Sequence, residues 1–178
     1  MPIEVINTAF AGLTFAVIAA TAITAVVQLR HLRASNQILA LVTLLEDWKR
    51  PDMQAWVHFV RNDLPHKTQD PAFMEGLMVA RPDRNIHPEL HVCDYYEQVG
   101  TFFKYGLLDQ QSFMDVGCVT IASLYRLAQP CIEKMRIDRG ASLYENFEYL
   151  AVQGLLWSRG HPHGNYPKRL PRFSAIDR

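Results

Sequence analysis

Residues 5–29 read VINTAFAGLTFAVIAATAITAVVQL, 25 consecutive positions without a charged side chain. A helix of that length crosses the ~30 Å hydrocarbon layer of a bilayer. It also satisfies its own backbone hydrogen bonds on the way, as hydrocarbon requires. The chain then turns basic at Arg30, His31 and Arg33. The stretch is therefore expected to be a single transmembrane helix, and everything else in the sequence is read from it.

A cleavable secretory signal is the rival reading, with Ala20-Thr21-Ala22 as its cleavage site. Two features oppose it. The residues ahead of the apolar run are Met-Pro-Ile-Glu, with no basic n-region, and the run is longer than a usual h-region. So long an uncharged run is also uncommon in a small water-soluble domain. Orientation follows from charge: Arg30, Arg33, Lys49 and Arg50 come after the span, and only Glu4 and the amino terminus before it. The positive-inside rule places residues 30 onward in the cytoplasm of a bacterial inner membrane, with the N-terminus outside. Cys93, Cys118 and Cys131 are odd in number and share no redox or metal spacing, which suits a reducing compartment.

Within the span, Gly12, Ala16, Ala20 and Thr24 recur every four residues and form a strip of small side chains. Such strips let another helix approach closely, and Thr24 can add an interhelical hydrogen bond. Alanine-rich spans also produce them from composition alone.

The rest of the chain has helical periodicity and no convincing alternating strand, so the fold is expected to be all-α. No glycine or proline interrupts residues 13–50, and the membrane helix is expected to continue as a rod bearing Ile38, Leu41, Val42, Leu45 and Trp48 on a buried stripe. Pro51 suits the first turn of the next helix, which carries Met53, Trp56, Val57 and Val60. A short helix is expected over 72–80 and a loop over 81–88 (RPDRNIHP). Residues 89–105 form an amphipathic helix with Val92, Tyr96, Val99 and Phe103 on one face, stopped by Gly106. Asp109 caps the next helix, with Phe113, Val116, Thr120, Leu124 and Leu127 inward. Pro130 is expected to kink or end it, and a shorter helix through Ile132 and Met135 to stop near Gly140. Ser142 and Glu145 form a capping box for a last helix with Leu143, Phe147, Leu150, Ala151 and Gly154. The expected organisation is a stub and span over 1–29, a cytoplasmic helical domain over 30–158 and a tail over 159–178.

That tail, SRGHPHGNYPKRLPRFSAIDR from Ser158, holds three prolines, two glycines and five basic side chains against one acid. It is expected to be extended. Lys168, Arg169 and Arg172 can meet anionic lipid headgroups, each nearby cation being worth about 1 kcal/mol. The tail can equally clamp a partner subunit or remain solvated.

Phosphate loops, GxGxxG, GxSxG, HExxH and CxxCH are all absent from the sequence. His161 and His163 lack the thiol or carboxylate neighbours of a zinc site, and Pro88 puts His87 outside the helix that carries His91, so neither pair reads as a metal site. Asp94 and Glu97 can share a helix face, but such pairs more often meet Arg or Lys than do acid–base work. The formal net charge is zero, which argues against nucleic acid as a partner. No cofactor is expected.

The order of features resembles a bacterial family called domain of unknown function 4760. The features are one span, a basic helix with the pair Asn36-Gln37, an aromatic-Glu-x-aliphatic-Gly pattern at Tyr96, Glu97, Val99 and Gly100, and Gly106-Leu107-Leu108-Asp109 after it. The resemblance covers most of residues 1–158 and implies the helical fold but no activity. The expected function is a non-catalytic accessory subunit of a larger membrane complex, for which a respiratory or photosynthetic complex is a natural host. A self-associating membrane sensor or scaffold is the alternative. A membrane-tethered enzyme using His58, Asp94 or Glu97 ranks behind both, for want of a catalytic constellation.

Overall fold

The computed structural model describes residues 2–167 and 169–176, without the side chains of Val5, Ile6 and Ala9. Among the described residues eight helices follow one another: α1 (Ile3–Lys49), α2 (Pro51–Asn62), α3 (Leu64–Lys67), α4 (Pro71–Gly76), α5 (Glu89–Lys104), α6 (Gln110–Arg139), α7 (Glu145–Gly160) and α8 (Phe173–Ile176). No strand occurs among the described residues. The fold is all-α.

The chain divides into two compact units, Met1–Ala40 and Leu41–Arg178. The first consists of α1 up to Ala40, with an apolar stretch from Phe10 that is long enough to cross a membrane and has no buried residue in its most apolar window. Thr8, Thr14, Thr21 and Thr24 each donate a side-chain hydrogen bond to the carbonyl four residues earlier. These four hydroxyls are thus satisfied within the helix, which removes the main cost of threonine in hydrocarbon.

The second unit is a helical bundle whose core is filled by α5, α6 and α7. Val92, Tyr96, Val99 and Phe103 of α5 are buried as the periodicity requires, with Leu90 and Cys93 beside them. Phe147 stacks on Tyr96 at 5.0 Å and meets Tyr125 edge-on at 5.1 Å, tying the three helices together. Burying one such phenylalanine contributes about 2–3 kcal/mol. Met53, Val57 and Val60 of α2 pack inward, and Pro51 occupies the first helical turn.

Helix ends follow the turn chemistry of the sequence in two places. Gly106, at φ 66°, closes α5: its amide bonds Phe103 O and the Leu107 amide bonds Phe102 O, the paired pattern of a left-handed C-terminal cap. The Asp109 carboxylate then accepts the Ser112 amide at 2.8 Å and caps α6.

Elsewhere the structure departs from expectation. The inward face at the end of α1 is Leu41, Leu44, Leu45 and Trp48, centred on the buried Leu44, whereas Ile38 and Val42 are exposed. The helix expected over 72–80 ends at Gly76, and turns follow. Pro130 does not end α6, which runs on to Arg139 with Ala128, Cys131, Ile132 and Met135 buried around it. That packing outweighs the one backbone bond the ring removes. Val116 is exposed rather than inward. Ser142 and Glu145 form no capping box. The residue preceding α7 is Tyr144, left-handed at φ 55°, and the cap comes from another helix. The tail is not simply extended either, since it includes the short helix α8.

Candidate functional site

Three assemblies in the second unit and one strip in the first gather the polar and aromatic side chains. The strip residues Gly12, Ala16, Ala20 and Thr24 are all exposed on α1, as are Arg30 and Arg33 beyond them. A Cβ added at Gly12 would meet no atom within 4 Å. Thr24 gives its proton to Ala20 O at 2.8 Å, so toward a neighbouring helix it offers lone pairs rather than a donor.

The first assembly is the contact of α5 with α7, built by the Tyr96-Glu97-Val99-Gly100 pattern. Glu97 accepts the Asn146 amide at 3.0 Å, the Phe147 amide at 2.9 Å and the Asn146 side-chain amide at 2.7 Å. Its negative charge thus sits on the open amides of the α7 N-terminus, the position that the helix dipole favours. Gly100 lies one turn along, where a Cβ would fall 2.6 Å from the Asn146 carbonyl carbon. Tyr96 stacks on Phe147, and burial pushes its hydroxyl well above the usual phenol range. Asp94, three residues before Glu97, instead pairs with Arg84 and accepts the Tyr144 hydroxyl at 2.9 Å. The two carboxylates therefore serve separate contacts.

The second assembly escaped the sequence reading altogether. His87 and Glu89, on either side of Pro88, are both buried, with Nδ1 and Oε1 2.9 Å apart. Oε2 of Glu89 has no hydrogen-bond partner among the described residues. Phe73 packs on the His87 ring at 4.4 Å, and Gly76 leaves room for its Nε2, which a Cβ there would approach to 2.8 Å. Burial raises the Glu89 carboxyl above its ordinary value, and the bond to His87 opposes that. The nearby Cys93 and Cys131 thiols are also pushed up by burial, Cys131 to about 12. Thiols so held are poor nucleophiles. Among the described residues, no three His, Cys, Asp or Glu side chains are grouped to hold a metal ion. A sequence signal did exist: a His-Pro-Glu at a helix start puts two ionisable groups within reach, but their burial is a tertiary fact.

The third is an apolar pocket of about 90 Å³ lined by Leu41, Leu44, Trp48, Tyr95, Phe113 and Gly117, among others. Tyr95 donates its hydroxyl to Leu44 O at 2.9 Å, and Trp48 lies against Tyr95 and Tyr96 at 6.5 and 5.9 Å. Desolvation raises the Tyr95 hydroxyl to about 12. Nearby, Trp56 stacks on His91 at 4.0 Å.

In the tail, Lys168 lies outside the described residues, while Arg169 and Arg172 are exposed. The Arg172 guanidinium lies 4.1 Å over the Tyr166 ring. His161 stacks on Trp157 at 4.2 Å, and its Nδ1 lies 2.9 Å from the Trp157 carbonyl oxygen.

No curated protein and no solved structure matches the chain. A family model described as Domain of unknown function (DUF4760) matches residues 15–153, from within the apolar helix to the middle of α7. The chain belongs to the domain of unknown function 4760 family.

Proposed function

We propose that the protein is a non-catalytic accessory subunit of a larger assembly in a bacterial inner membrane. In this reading α1 crosses the bilayer once, with residues 30 onward in the cytoplasm, and the Gly12, Ala16, Ala20 and Thr24 strip packs on a helix of a partner membrane protein. The observation that carries it is the exposure of α1 on both sides of its basic cluster. Before Arg30 the apolar side chains are long enough in extent to meet lipid. After Arg33, where lipid no longer accounts for them, Ile38 and Leu39 remain 64% and 65% exposed. Exposed apolar side chains in that position support contact with another protein. The engagement of Asp94 and Glu97 in helix–helix contacts supports a structural rather than a catalytic role.

The test is gentle detergent extraction of the tagged protein, native mass determination and identification of what co-purifies. Larger membrane proteins in fixed stoichiometry are expected, and replacing Ala16 and Ala20 with leucine should release the subunit from them. A lone homodimer, crosslinked through cysteines placed at Gly12 or Thr24, would establish the self-associating scaffold instead. Retention of the double leucine variant in the complex would show that the strip is not the contact.

A further inference from the structure

The tail is organised in a way its proline-rich, basic composition does not announce. The Tyr166 hydroxyl donates to Pro171 O at 2.9 Å, and Arg172 lies over the Tyr166 ring while donating to His163 O at 3.0 Å. Backbone bonds from Leu170 to Pro167 and from Ala175 to Arg172 complete a closed clasp. Pro162, Pro167 and Pro171 restrict the unfolded tail, which lowers the entropy lost on closing it. Yet the clasp buries none of its large apolar side chains: Leu170 is 59%, Phe173 78% and Ile176 67% exposed. These three recur at intervals of three, with Arg169 just before the first and Arg172 between the first and second. Exposed aromatic and aliphatic groups interleaved with cations match the interface of a bilayer with anionic headgroups, where rings enter the acyl boundary and guanidinium groups meet phosphate.

We propose that this C-terminal clasp docks on an anionic bilayer surface. Phe173, Ile176 and Leu170 enter the interface, Arg169 meets lipid phosphate, and Arg172 holds the clasp closed while adding its charge to the same face. The charge complementarity is local: the tail from Arg159 has five basic residues against one acid, in a chain whose net charge is zero. The inference rests on the anchor reading of α1 and is independent of any partner subunit, so its failure would leave co-purification unchanged.

The experiment uses the full chain reconstituted in liposomes, with Ser174→Cys and Cys118→Ser so that an environment-sensitive fluorophore reports on the clasp. Cys93 and Cys131 are fully buried and escape labelling. In vesicles with phosphatidylglycerol the emission should shift to the blue relative to pure phosphatidylcholine, and 1 M salt should reverse the shift. Arg169→Gln should lower the docked-to-undocked ratio about fivefold, the worth of one interfacial cation. Phe173→Ser with Ile176→Ser should abolish the shift at unchanged charge. Arg172→Lys keeps the charge but not the flat stack on Tyr166, and should weaken docking more than salt screening alone explains. Identical emission in both lipid compositions would overturn the proposal. So would a blue shift that appears only in the presence of a co-purified protein, which would make the clasp a subunit clamp.

Discussion

At the scale of single residues, the most consequential is Glu89. It is a carboxylate with no solvent exposure and one ring nitrogen for a partner, and its second oxygen is unsatisfied among the described residues. Such a group shifts its protonation rather than carry a buried charge unaided. Because its folded value lies above the ordinary carboxyl value of 4.5, the folded state holds the proton more tightly than the unfolded chain does. The stability that follows is complete below about pH 4.5 and is lost as pH rises through the raised value. Glu89→Gln removes this titration while keeping an oxygen for His87. Denaturation of both proteins across pH 4 to 8 should show the variant gaining on the parent as pH rises. Parallel curves would mean that Glu89 titrates as an exposed carboxylate does. The His-Pro-Glu puts the two groups within reach, but their burial could not be read from the motif, because Phe73 and Gly76 close over His87 from outside it.

Among elements, the contact of α5 with α7 shows how far local pattern carries. Helix α5 itself was legible, since its apolar residues repeat at helical spacing and Gly106 stops it. The start of α7 was not. Ser142 and Glu145 have the spacing of a capping box, but Tyr144 adopts the left-handed conformation and α5 supplies the cap through Glu97. A carboxylate from a packed neighbour reaches the open amides as well as a local serine does, and no local rule distinguishes the two. Gly100 is needed beside it because the backbone of Asn146 lies against its Cα. Gly100→Ala should therefore separate the helices and cost roughly 2 kcal/mol, the scale of an overpacked core. Urea denaturation of the variant measures this, and a change within about 0.5 kcal/mol would show that the contact yields freely. Pro130 carries the same lesson in reverse: a residue that ends isolated helices sits inside α6, on its exposed side, because buried neighbours hold the turn together.

For the whole molecule, the first unit is a helix with no buried residue in its apolar window, and the second is a bundle with its own core. That window, in the helix from Phe10, is long and apolar enough to cross a membrane. The protein should stay in the membrane fraction through alkaline carbonate extraction, and Val17→Arg should weaken that retention, since an arginine at mid-span costs about 3 kcal/mol. Quantitative release of the parent protein into the carbonate supernatant would show that the apolar helix is covered by something other than lipid. The small-residue strip belongs to this scale as well, since it gains meaning only against a second helix.

By itself the sequence determined the apolar span, the all-α class, the helix-stopping Gly106 and the cap at Asp109. These depend on run length, periodicity and the conformational limits of neighbouring residues, all of which act within a few positions. Only the tertiary structure decided that Glu97 caps a helix some fifty residues away, that Pro130 lies within a continuous helix, that His87 and Glu89 are sealed from water, and that the tail closes on itself. Each depends on which segments desolvate or hydrogen-bond one another once packed, and that energy is absent from any stretch of the chain taken alone.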